Sequence, residues 1–135
     1  MRSLLCEATV ALAILWLTPA AALAQYLCAI NEVYKCAAVS GCSRVSPKDA
    51  NLAGVMVVDV KKKQLSLAPL GGTKRTDDID SITITDDAIL LYGTGKRMAD
   101  RTFNAVISLK TGSLSAGLST LDSSFALLGE CSSEP

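Results

Sequence analysis

From Phe103 to Lys110 the chain alternates: Phe103, Ala105, Ile107 and Leu109 fall on one side, Asn104, Val106, Ser108 and Lys110 on the other. Successive side chains of a strand point to opposite faces, so a period of two predicts a strand with one buried and one wet face. Ile82 and Ile84 repeat the pattern between Ser81, Thr83 and Thr85, and Asp86-Asp87 turns the chain into "AILLYG". Thr111-Gly112 joins 103–110 to a strand carrying Leu114, Ala116 and Leu118, and after "STLDSS" the residues Phe125, Leu127, Gly129 and Cys131 line one face of a last strand. Upstream, 55–60 and 65–70 read as two strands around the turn Lys61-Lys62-Lys63, with Pro69 at a frayed end. Residues 26–33 supply a first strand, while "SRVSPKDAN", "GGTKRTDD" and "TGKRMADR" read as polar connections.

No helical stripe of about ten residues interrupts this series beyond the N-terminal leader, so parallel strands joined by crossover helices are excluded. The expectation is an all-β fold: a small antiparallel up-and-down β-barrel or sandwich of roughly seven to eight strands, which removes or shortens exposed edges. We expect one domain, residues 25–135, behind a signal peptide, residues 1–24. Arg2, the apolar run 8–17, Pro19 and Ala22-Leu23-Ala24 carry that reading, with cleavage after Ala24. The run is too short to span a bilayer of about 30 Å.

Cleavage removes Cys6 and one charge of each sign, Arg2 and Glu7, and leaves Cys28, Cys36, Cys42 and Cys131 in a neutral chain. Nothing in that balance recruits nucleic acid or an anionic membrane. The cysteines lack the tight pairs of zinc sites and the Cys-x-x-Cys of redox centres, and the chain has no histidine. An even set behind a signal peptide reads as a disulfide framework in a periplasmic or secreted protein. Three connectivities are open. Cys36 and Cys42 flank "AAVSG", where Gly41 turns the chain back, which favours that local bridge and leaves Cys28 to meet Cys131.

Chemistry-bearing motifs are scarce. "LYGTGKR" offers glycines before a lysine but lacks the spacing of a phosphate-binding loop, and no helix follows. Histidine-based triads cannot be built, and Asp77-Asp78 and Asp86-Asp87 read as turn formers. "DDID" lacks the spaced ligands of a calcium loop, so no metal and no cofactor is expected. In a meander, alternate connections share one end. The longer ones then gather Lys74, Arg75, Lys96, Arg97, Met98 and Arg101, with Asp77, Asp78, Asp100 and Asp122, at a single mouth. Those six cationic and apolar residues are the candidate binding loops, because function concentrates on loops held by a rigid scaffold.

Across residues 26–131 the chain resembles a group of small secreted proteobacterial proteins, mostly uncharacterised, that pair an early cysteine cluster with a final Gly-x-Cys. "YKC", "SGC", "NLAGVMVVDVKKKQLSL", "FNAVISLKTGSLSAG" and "FALLGEC" carry the resemblance, which implies compartment and fold. A looser similarity, in architecture, is to the periplasmic inhibitors of c-type lysozyme, whose serine- and glycine-rich inhibitory loop "LYGTGKRMADR" does not match. The expected function is non-catalytic: a binding or accessory protein for an unknown protein or small ligand, with no stable membrane insertion after signal cleavage. An inhibitor of an envelope-directed enzyme is the alternative, and a carboxylate-only hydrolase a more distant one.

Overall fold

The computed structural model describes residues 24–67, 74–95 and 101–134. The signal peptide read at residues 1–24 lies, apart from Ala24, outside them. Ten strands follow one another: β1 Gln25–Ala37, β2 Gly41–Val45, β3 Val55–Asp59, β4 Gln64–Leu67, β5 Arg75–Asp78, β6 Ser81–Ile84, β7 Ala88–Thr94, β8 Thr102–Ser108, β9 Ser113–Ser119 and β10 Ser124–Glu134. Every pairing is antiparallel, in the order β5-β4-β3-β1-β10-β9-β8-β7-β6, with β2 added to β1. Among the described residues there is no helix, and none is long and apolar enough to cross a membrane.

The two ends of that path, β5 and β6, are consecutive in the chain and separated only by Ile79 and Asp80. A sheet whose opposite edges are two residues apart has to curl until they meet, and the result is barrel-like. Strand direction alternates along the path, so β5 and β6 share one sense and continue each other. The change of partner falls between adjacent residues: the Ile79 amide donates to the Lys63 carbonyl at 2.8 Å, and the Asp80 amide donates to Tyr92 of β7 at 2.9 Å. Asp80 and Ser81 are both exposed between inward-facing Ile79 and Ile82, an irregularity that turns the strand from one neighbour to the other. Asp80 Oδ2 then accepts from the Thr94 amide and hydroxyl at 2.7 and 2.8 Å, tying the corner to the end of β7.

A similar interruption separates β2 from β3. Both pair with the same side of β1, β2 along residues 33–37 and β3 along 25–29, and residues 46–54 bulge out between them. That insert is one tight turn with the sequence logic of a helix start. Ser46 Oγ receives the Asp49 amide and donates to Asp49 Oδ2, Pro47 needs no amide partner, and Asn51 leaves the turn at a φ of 52°.

The expected count of seven to eight strands is therefore corrected to ten among the described residues. β2 runs from Gly41 into the start of what reads as polar connection, "SRV", and β5 lies inside "GGTKRTDD"; the loop assigned to residues 75–78 is a strand. Elsewhere the alternation of the sequence is the alternation of the barrel. Phe103, Ala105 and Ile107 are buried while Thr102, Asn104 and Val106 are exposed, and Lys61–Lys63, Asp86-Asp87 and Thr111-Gly112 are tight turns.

Both disulfides join directly opposed residues: Cys28 to Cys131 across β1 and β10, and Cys36 to Cys42 across β1 and β2. This is the connectivity that the spacing favours. The first bridge is on the inner side, with Cys28 fully buried, and the second lies where the β1–β2 hairpin is exposed. Two such bridges mark a chain that folds in an oxidising, extracytoplasmic compartment.

A candidate ligand cavity at the barrel mouth

The described residues leave a hollow inside the curled sheet. A cavity of about 250 Å3 runs from the barrel core to the end that carries the β4–β5, β7–β8 and β9–β10 connections. Its base is apolar, built from the inward positions of five strands: Ile30 of β1, Met56 of β3, Leu65 of β4, Phe103 of β8 and Leu127 of β10. Alanine at 105 and 116, directly opposed on β8 and β9, keeps the wall thin there and leaves the volume open. Gly93 makes room for the Phe103 ring. A Cβ at 93 would lie 2.3 Å from the tip of the Phe103 ring, so the ring lies over the glycine backbone. From the side, the turn at 46–54 feeds Asn51, Leu52 and the buried Ala53 into the cavity wall.

The rim is charged, and register explains why. Leu65 and Leu67 of β4 face inward, and their partners on β5 are Asp77 and Arg75. The inward face of β5 is thus Arg75, Asp77 and then buried Ile79. Arg101 precedes Phe103 by two positions, on the inward side of the entrance to β8, and its carbonyl accepts the Gly95 amide at 2.9 Å. Lys74 completes the rim at the exposed start of β5. On the other side of β5, Thr76 Oγ1 and Ser66 Oγ are hydrogen-bonded at 3.2 Å, which pins the strand to β4.

The structure thus brings together Lys74, Arg75 and Arg101 of the candidate binding residues, all lining one cavity. Lys96, Arg97 and Met98 lie outside the described residues. Among the described residues no three histidine, cysteine or carboxylate side chains group as metal ligands, and Asp77 is the carboxylate of the described lining. The cavity itself is what the residue pattern does not announce. Its wall residues carry the same alternation as a packed core, and the small residues Ala105 and Ala116 at opposed positions are the signal that the centre is underfilled.

A second polar group lies on the outer side of β1 and β2, away from the cavity lining. Tyr34 donates to Glu32 Oε2 at 2.8 Å, and Arg44 lies 3.5 Å from Glu32 Oε1. The hydrogen bond to Glu32 and then its charge hold the Tyr34 phenol above its ordinary pKa of 10.0. Burial does the same to Tyr26 on the inner face of β1. No protein family, no curated protein and no solved structure matches the chain.

Proposed function

We propose that this chain is a non-catalytic binding protein of the periplasm or the secreted fraction, and that the barrel interior is a container for the apolar part of a small ligand. The observation that carries the reading is the cavity: about 250 Å3, apolar at its base, and opening between the polar residues Arg75, Asp77 and Arg101. Ligand sites of soluble proteins have that composition, a mostly apolar hollow with a few polar groups fixing orientation, and mouths of β-barrels are a recurrent location. A β-sheet with fixed ladders and two disulfides offers such a hollow at little cost in ordering on binding.

A neutral apolar fluorophore, N-phenyl-1-naphthylamine, tests this directly. We expect saturable one-to-one binding with blue-shifted emission, and Ala116→Phe, which projects a ring into the hollow, should weaken it about tenfold or more, the loss of roughly 1.4 kcal/mol. No saturable binding, or equal binding by the Ala116→Phe protein with its fold intact by circular dichroism, overturns the container.

A further inference from the structure

We infer that the ligand is a single-chain amphiphile with an anionic oxygen headgroup, a carboxylate or a phosphate monoester, whose chain enters the barrel while its head meets Arg75 and Arg101. This rests on the reading of the barrel as a container and adds the chemistry of what it holds. Arg75 and Arg101 are both half-buried, and both issue from inward-facing positions at the same rim. A half-buried guanidinium has lost part of its hydration and is normally compensated by a carboxylate. Among the described residues neither arginine forms an ion pair, although three other pairs form elsewhere: Arg44 with Glu32, Lys62 with Asp59 and Lys110 with Asp87.

Among the described lining residues, the three cations Lys74, Arg75 and Arg101 stand with one carboxylate, Asp77, an excess of positive charge within that set. Planar guanidinium donors match the oxygens of a carboxylate or phosphate, and the partly dry setting makes such a hydrogen bond stronger than it is in water. An alcohol of the same chain length satisfies the apolar base but leaves both guanidiniums without a counter-charge. An amine meets like charge. The competing role for Arg75 is protective, since inward charge on an edge strand such as β5 deters pairing with another sheet; it makes no demand on the ligand.

Displacement of N-phenyl-1-naphthylamine by decanoate, decyl phosphate, 1-decanol and decylamine, each below its micellar concentration, separates these. Decanoate or decyl phosphate should compete at concentrations about tenfold or more below those of decanol, the worth of one charge-assisted hydrogen bond, with decylamine weakest. The better of the two anions identifies the headgroup. In the Arg75→Gln/Arg101→Gln protein, checked by its urea midpoint, the anion-to-alcohol ratio should fall towards one. In the unaltered protein the same ratio should narrow as salt is raised, a readout that needs no variant. Equal competition by decanol, preference for decylamine, or a ratio that survives both the double substitution and salt overturns the headgroup assignment and leaves the container standing. Absence of fluorophore binding removes the container itself.

Discussion

Gly129 of β10 faces Ile30 where β1 carries its one extra residue, Asn31, between the register pairs at Ile30 and Glu32. The bulge pushes the Ala29 carbonyl to within 2.0 Å of where a Cβ on residue 129 would be. Backbone cannot yield as a long side chain can, so Gly129→Ala should destabilise the protein by about 3 kcal/mol or more in urea unfolding, the range of severe overpacking. Gly54→Ala, with nothing within 4 Å of the added methyl, is the matched control and should move the midpoint little. Tyr26 supplies a different kind of residue-level prediction. Its phenol is raised above 10.0 by burial, so the folded state holds the proton more tightly than the unfolded state does. That contribution is intact below about pH 10, where both states are protonated, and is lost as pH rises through the folded pKa. Urea midpoints should fall above about pH 10, and Tyr26→Phe should flatten the fall; an unchanged slope in that variant would contradict the assigned cause.

At the level of elements, the strands legible from alternation are those with one apolar and one polar face: β6, β8, β9 and β10 stand nearly where the pattern places them. β2 and β5 were hidden for physical reasons. In β2, "GCSRV", four of five residues are exposed because the strand only extends a hairpin beyond the barrel. In β5, "RTDD", the inward positions are Arg75 and Asp77, charges lining a rim, so the pattern that marks a buried face is absent where the candidate site lies. Lys74, Arg75 and Arg101 could be grouped from meander topology, yet their facing an internal hollow depends on register, which composition does not carry. The bridges differ in what they tie. Cys28 and Cys131 are 103 residues apart and Cys36 and Cys42 are 6 apart. In the chain-entropy account the first closure contributes about 4.7 kcal/mol and the second about 2. Replacing both members of a bridge by alanine avoids a stranded thiol. We expect the Cys28/Cys131 pair of substitutions to lower the melting temperature more than the Cys36/Cys42 pair; equal losses would show that the ladder, and not loop closure, dominates.

At the scale of the whole molecule the barrel has a strong side and a weak one, and they are fixed by where the chain places its ladders. β1 and β10 pair from Gln25 with Glu134 to Cys36 with Ser124, carry the long disulfide, and are each flanked by a further strand. Opposite them, the sheet closes through one bent strand. Among the described residues β5 pairs with β4 alone, over Arg75–Asp78, and β6 with β7 alone, over Ser81–Ile84. Gly93, whose Cβ position lies 3.0 Å from the Asp78 carbonyl, marks how closely the edges meet at the corner, and towards the mouth they part around the cavity. Local opening draws on regions with few ladder bonds and many exposed amides, so the β5 side should open well below the cost of global unfolding. Native-state hydrogen exchange should therefore find the outward amides of β5 the fastest among the strands of the main path and those of β1 and β10 among the slowest. Because the same segment carries Arg75 and Asp77 at the rim, saturation with the apolar fluorophore should slow exchange in β5 while leaving β1 and β10 unchanged. Uniform protection across β1, β5 and β10, or a ligand effect confined to the tight turns at Lys61–Lys63 and Asp86-Asp87, would show that the weak side of the barrel is not the way into its interior.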